Sequence, residues 1–398
     1  MLKKIALLLL LFLASFLTGC WNRTEITDMA VVLGTGVDWT QDGRLSLTIQ
    51  IAKSRAFAGV EAAGGREEAA NWVVTAEGKT IEEAAGNLAA KVPRKVFWDH
   101  CMILIVGEEM ARKGMNLIID FFLRSREPRE TMWLIVAEGE AKDFLETYAN
   151  LEKSSAQAMG SLNKIKTGYS VRLWEFAEML ANKGIQPVAP RVEVKKEAGI
   201  TPGPGQGQET RLPAHKQVGI YGVGVFKGEK LIGWLDDYAT SGLIWLKGES
   251  LKGAVVVPDP GEPDKGVSIA IRRNSLRVVP EYDGKNLRFY VKVKIEGDMV
   301  EQQSRGDLAK KEMIKVLEKE LAEEIKKRAS AALEKAQKEY VADIFGFGEV
   351  FRRKYKKAWQ ELQDGWNTAL AGAEVNLEIE ANVREVGLLS KGAAAPEE

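Results

Sequence analysis

The sequence predicts a multi-domain α+β protein of mixed α/β character, two to three sheet-helix domains with a long C-terminal helix on an antiparallel sheet. Three observations lead there. The 398 residues exceed what one hydrophobic core usually serves. Strand and helix patterns alternate in the first half, whereas the second half has a run of strands followed by a run of helices. Between the halves, 196–217 is rich in Gly and Pro and has no apolar period, as an exposed linker would. The expected organisation is a leader at 1–19, an N-terminal unit at 20–195 divisible into two domains, the linker at 196–217, a C-terminal α+β unit at 218–390 and a tail at 391–398.

In the N-terminal unit, 29–37 and 44–52 read as two strands joined around Gln41, Asp42 and Gly43. Leu45, Leu47, Ile49 and Ile51 alternate with polar residues, as a half-buried strand requires. Segment 56–70 reads as a loop and 72–75 as a short strand. Ile81, Ala84, Ala85, Leu88 and Val92 then lie on one helical face, which Pro93 ends. The continuous apolar run 102–106 predicts a central strand covered on both faces. A single helix opening at Gly107 follows it, carrying Met110 to Phe122. A second strand is expected at 131–137, helices near 139–148, 151–165 and 171–181, and a closing strand at 188–194.

The C-terminal unit opens with a predicted hairpin, 218–226 and 230–235. Leu243 to Leu246 read as a short apolar turn, and 254–257, 267–271 and 275–279 as separate strands. Asp283-Gly284 turns the chain into 287–296, whose Leu287, Phe289, Val291, Val293 and Ile295 share one face. Ser304 to Asp307 resemble a capping box before a long helix striped by Ile314, Leu317, Leu321, Ile325 and Leu333 and continuing to about Tyr340. That stripe keeps no strict heptad, so it is read as the domain's own packing face. A helix near 349–363 and a closing strand at 374–386 complete the chain.

Charge and composition narrow the function classes. Basic and acidic residues number 56 each, and without Lys3 and Lys4 the 56 basic residues become 54 against 56 acidic. So balanced a chain lacks the basic footprint that nucleic acid requires. Two His and two Cys leave little from which to build a metal site. His100 and Cys101 are neighbours, but on extended backbone they point to opposite faces and cannot share a proton. Asp99-His100 is instead read as a hydrogen-bonded entrance to the 102–106 strand. Gly34-Thr35-Gly36 lacks the third glycine of a dinucleotide loop and reads as a strand bulge. No G-x-S-x-G, Walker A or H-E-x-x-H motif is present, and no carboxylate pair stands apart as an acid and base. The expectation is a protein that is not an enzyme and has no cofactor.

The first twenty residues set an address. Lys3 and Lys4 precede an apolar run from Ile5, softening towards Leu17. As a helix, 5–17 reaches about 20 Å, short of a hydrocarbon core about 30 Å thick. It therefore reads as a signal peptide. Leu17-Thr18-Gly19-Cys20 resembles the bacterial lipobox, with cleavage between Gly19 and Cys20 and a diacylglyceryl group on the new N-terminal Cys20. Each buried methylene contributes about 0.8 kcal/mol, and two chains suffice for stable anchoring. Cys101 is then left without an intrachain partner and reads as a buried thiol.

A spaced series of motifs carries a family resemblance along nearly the whole chain. It starts with 19–26 (GCWNRTEI), with Asn22 where the family commonly has an acidic residue. Asp99-His100, 107–111 (GEEMA), 120–124 (DFFLR), Arg129-Glu130 and 136–139 (VAEG) follow. In the second unit come 233–235 (GWL), 242–248 (GLIWLKG) and 343–349 (DIFGFGE). In this order they resemble the Ger(x)C lipoproteins, the C subunits of spore nutrient germinant receptors. The resemblance implies a mixed α/β fold of about three domains and a lipid-anchored location at the outer face of the spore inner membrane. It also implies two integral membrane partners, the A and B subunits, in a receptor whose nutrient sensing leads to germination. Candidate partner contacts are Asp99 and His100, the cluster from Arg124 to Arg129 and Glu130, and Phe345 and Phe347 between glycines. For Arg124 and its neighbours a solvated turn is the competing reading, and for the two phenylalanines core packing is. Two other functions compete: an extracytoplasmic solute-binding lipoprotein with a cleft between its units, and an envelope hydrolase, which would need a carboxylate pair at catalytic separation.

Overall fold

The computed structural model describes residues 1, 3–5, 25–53, 70–147, 152–196, 216–250 and 252–385; the side chains of 194–196 and 216–218 are not among them. The lipobox, most of the linker and the tail lie outside the described residues.

Residues 25–250 build one sheet with helices on both faces. In chain order its elements are β1 (Met29–Trp39), β2 (Leu45–Ala52), β3 (Asn71–Gly78), α1 (Ile81–Ala89), β4 (Lys95–Phe97), β5 (Ile103–Val106), α2 (Glu108–Lys113) and α3 (Asn116–Arg124). Then come β6 (Trp133–Ala137), α4 (Ala141–Leu145), α5 (Ser155–Ile165), β7 (Val171–Arg172), α6 (Leu173–Ala181), β8 (Val188–Lys196), β9 (Lys216–Lys227), β10 (Lys230–Leu235) and α7 (Asp237–Leu246). The spatial order is β10-β9-β8-β6-β5-β1-β2-β3, with β4 beside β1 and β7 beside β6. The centre, β1, β5, β6 and β8, is parallel and both flanks are antiparallel. Strand β5 shows why the centre is apolar throughout. Ile103 and Ile105 enter a cluster with Phe144, Leu145 and Met159 on one face. Leu104 and Val106 enter the main core with Met110, Ile118 and Phe122 on the other.

The second sheet orders β11 (Ala254–Pro258), β12 (Gly266–Tyr282), β13 (Leu287–Gln302) and β14 (Glu374–Glu385) side by side. Its alternation is clean. Leu287 to Ile295 turn every second side chain inward, and Arg288, Lys292 and Lys294 turn outward to Glu374, Glu378 and Glu380 at 3.0, 2.6 and 3.0 Å. Between β13 and its parallel neighbour β14 run α8 (Lys311–Glu334), α9 (Phe347–Lys354), α10 (Lys356–Leu362) and α11 (Trp366–Ala371). Leu317, Leu321, Ile325 and Leu333 of α8 are buried, as the stripe predicts. A wider π-helical turn, Lys335–Tyr340, ends that helix.

Several expectations change. The 218–235 hairpin, assigned to the second unit, extends the first unit's sheet, because β9 pairs with β8 through eight registered residues. Leu243 to Leu246 are the end of α7. Every residue from Ala239 to Leu246 is buried, so no amphipathic period marks the helix, while Asp236 caps it by accepting from Ala239 N–H at 2.8 Å. The helix after Gly107 is two helices, α2 and α3, broken at Gly114 with φ 141°. The strands at 267–271 and 275–279 are one strand, β12, with register shifts that accommodate its polar centre, Arg272 to Asn274. No side chain caps α8, which starts at Lys311; Asp307 instead accepts from Ala309 N–H within its own turn. No pattern in the sequence announces strand β4 or helix α11.

Candidate functional site

The two sheets meet around Asp343. This residue is fully buried, and burial pushes its carboxyl group above the usual carboxylate range, against the pull of its hydrogen bonds. Its Oδ1 accepts from the backbone N–H groups of Phe345, Gly346 and Phe347 at 3.1, 2.9 and 3.2 Å. Its Oδ2 accepts from Gly348 N–H at 2.7 Å and from Trp366 Nε1 at 2.8 Å. Both oxygens are thus committed to folding the 343–349 loop into the start of α9. The glycines follow from the geometry. Gly346 is left-handed at φ 82°, and a Cβ on Gly348 would lie 2.6 Å from both Gly184 Cα and Trp366 Nε1.

That glycine contact joins the units. Gln186 N–H donates to Asp343 O at 2.6 Å, and Lys183 pairs with Asp364 at 2.8 Å, so the 182–187 turn before β8 is clamped onto the C-terminal helices. Phe345 and Phe347 are 7 % and 1 % exposed and tilt against each other at 5.2 Å, with Phe289 stacked on Phe347 at 5.1 Å. As partner contacts they are therefore corrected: the aromatic rings are buried in the main core and offer no surface.

A second polar group lies under the same joint. Lys247, just past α7, has its ammonium pKa lowered by burial, against the fields of Glu249, Asp343 and Glu175. Its Nζ sits 5.9 Å from the ring centroid of buried Tyr169, whose hydroxyl is pushed well above its usual range by burial and by Glu249 and Glu175. Asn274 donates to the carbonyls of Trp245 and Glu249 at 3.1 and 2.9 Å, fixing the chain as it leaves α7. Above it, Tyr340 donates to Trp234 O at 2.8 Å, and its ring occupies the space a Cβ on Gly233 would need. Val341 then adopts φ 48°, a left-handed conformation rare for a β-branched residue. The motifs 233–235, 242–248 and 343–349, far apart in sequence, thus converge on one joint. Sequence reasoning missed the convergence; the signal present was three Gly-flanked aromatic segments in one unit.

The remaining candidates lie elsewhere. His100 is exposed with its ring 5.6 Å from Phe97, and among the described residues no hydrogen bond joins it to Asp99. Cys101 is buried and its thiol is pushed up to about 12 by burial. Arg124 ends α3 in a two-pronged pair with Asp120, at 2.5 and 3.1 Å, which holds the aspartate below and the arginine above their usual ranges. Both side chains are well exposed, and Arg129 is exposed in the turn that follows. Arg124 also borders a groove of about 480 Å³ between α1 and α3, lined by Leu45, Ile81, Leu117 and Phe121. Gly19 and Cys20 lie outside the described residues.

Comparison with known proteins places this architecture. Residues 22–194 match the family described as spore germination protein N-terminal domain, and 221–387 match spore germination B3/GerAC like, C-terminal. The chain is 24% identical to spore germination protein YndF of Bacillus subtilis (strain 168), covering 96% of each chain. It is 26% identical to spore germination protein KC of the same organism, over 98% of this chain and 97% of that one. The crystal structure of the GerBC protein superposes with a TM-score of 0.54 at 19% identity, covering 88% of this chain and 96% of that chain, and so shares the fold. With both halves matched in order, the chain belongs to the Ger(x)C family of spore germination proteins.

Proposed function

We propose that this chain is the C subunit of a spore nutrient germinant receptor, held at the outer face of the membrane by lipid on Cys20. It acts by association with integral membrane subunits and not by catalysis. The observation that carries the reading is the likeness to spore germination proteins over both units. The lipobox-like 17–20 segment supports the anchor, and confinement to the membrane plane would let weak contacts with partners suffice. We place the boundary between units in the 196–217 segment, with the β9–β10 hairpin lent to the first sheet from beyond it. Solute capture in a cleft between the units is the less favoured reading, since backbone meets backbone at Gly184 and Gly348 where such a cleft would open. Calorimetry with amino acids and sugars tests it.

The anchor is tested by Cys20→Ala. The variant should fold normally but leave the membrane fraction, and spores carrying it should germinate poorly with nutrients. A direct readout accompanies it. A thioether is not titratable, so the denatured native protein should show one thiol, that of Cys101, where an unlipidated chain shows two. Two thiols in the membrane-extracted protein would end the proposal.

A further inference from the structure

The end of the first sheet at which β1 begins faces one way, and several side chains there are unlike those elsewhere on the sheet. Strands β4, β1, β2 and β3 lie side by side, with Lys95 opposite Met29 and Ala52 opposite Asn71. At strand spacings near 4.8 Å these four form a rim about 15 Å wide. Along it Ile26 is 80% exposed and Trp72 39% exposed. Arg94 and Lys95 are exposed and, among the described residues, make no ion pair. Among the described residues near the rim, Glu25 already has a partner and Asp28 is exposed in the turn before β1; Glu61, Glu67 and Glu68, between β2 and β3, lie outside the described residues. The rim thus combines an aliphatic tip, an indole and two exposed cations, the side chains that settle at a bilayer's headgroup level.

Chain length brings this rim to a surface. Glu25 follows Cys20 by five positions, a span of at most about 17 Å. The far end of the sheet lies a further 36 Å or so away, the length of the 11-residue β1. We propose that the rim formed by Ile26, Trp72, Arg94 and Lys95 rests on anionic phospholipid headgroups and fixes the orientation of the protein on its bilayer. The inference depends on the Cys20 anchor for its geometry. Arg94 and Lys95 attract the anionic surface, each contributing about 1 kcal/mol close to it, and Trp72 and Ile26 enter the interface. The lipid supplies the attachment, and the rim decides which face of the molecule turns outward to other subunits.

The test uses the mature polypeptide from residue 20 with Cys20→Ala, so that no lipid masks the rim. It is sedimented with vesicles of phosphatidylcholine alone or with about one third phosphatidylglycerol. Binding should appear only with phosphatidylglycerol and weaken as salt is raised. Arg94→Glu with Lys95→Glu should weaken it at least about tenfold. Lys326→Glu with Lys327→Glu on α8, the same change in net charge far from the rim, should leave it within about twofold. No binding to anionic vesicles, or equal losses from the two double variants, would overturn the proposal. So would a rim variant that keeps vesicle binding but, in the lipidated protein, loses co-purifying membrane proteins, since the rim would then be a protein contact. The thiol count reports on the anchor independently, so failure of the rim and failure of the anchor are told apart.

Discussion

Single buried acids hold this fold at two places, and their titration differs from that of surface carboxylates. Asp38, at the end of β1, accepts from Ala141 and Lys142 N–H at 2.7 and 3.0 Å and so caps α4. Burial raises its pKa to about 6, against those two hydrogen bonds, with smaller upward contributions from Glu140 and Asp143. A carboxyl whose folded pKa is raised binds its proton more tightly in the native state. Its stabilising contribution is therefore complete below about pH 4 and is lost as pH rises through about 6. A rise of that size is worth about 3 kcal/mol as an upper bound. Asp38→Asn removes the titration while keeping one acceptor for the cap. Unfolding free energies measured from pH 4 to 6 should fall more steeply with pH in the native protein than in the variant. Parallel profiles would show that Asp38 ionises without cost. Gly107 belongs to the same arrangement, because a Cβ there would lie 2.0 Å from the Asp38 carboxylate.

Among the elements, α7 shows how a helix can be locked by the absence of a side chain. A Cβ on Gly242 would meet the Arg328 carbonyl oxygen at 2.1 Å and Ala329 Cα at 2.8 Å, so α7 and α8 approach at backbone contact. Gly242→Ala should push the helices apart and destabilise by about 1–3 kcal/mol, the usual cost of overpacking. Urea unfolding should show the loss as a lower midpoint at unchanged slope; an unaltered midpoint would mean that α8 yields freely. The same helix marks where the sequence stops being readable. Strands β2, β13 and β14 announce themselves by period and β5 by its unbroken apolar run, and the α8 stripe is legible because its other face is wet. From Ala239 onward helix α7 is buried on all sides, so its pattern carries no period to read. Likewise Phe345 and Phe347 look equally suited to a core or a partner until Asp343 is seen folding their loop inward. The meeting of Lys247 with Tyr169 and Glu175 is tertiary, and nothing local in sequence encodes it. The proposed anchor is the reverse case: Leu17 to Cys20 is wholly a matter of sequence.

At the scale of the molecule, the question is whether the two sheets behave as one body. Beside the α7–α8 contact and the hydrogen bonds of Tyr340 and Asn274, they are tied by the Gln186 to Asp343 hydrogen bond, the glycine contact of Gly184 with Gly348 and the exposed Lys183–Asp364 pair. The exposed pair contributes little, so at this joint the coupling rests on the backbone contact and the Asp343 loop. Gly348→Ala places a methyl group against Gly184 Cα and the Trp366 indole, neither of which can give way without moving its element. It should cost about 1–3 kcal/mol and raise hydrogen exchange in 182–187 and 343–349 while leaving β5 and β13 protected. Gly184→Ala, which would press on the Glu349 backbone at 2.8 Å, opens the same contact from the other side. The double variant should therefore lose less than the two single losses combined, as residues sharing one contact do. Gly365→Ala supplies the baseline, because its Cβ would meet nothing within 4 Å and should change stability by no more than about 0.5 kcal/mol. Full additivity, or exchange that rises equally in β5 and β13, would mean that the units do not communicate through this joint. Sub-additive losses with local opening would make it the route by which a contact on one unit is felt by the other.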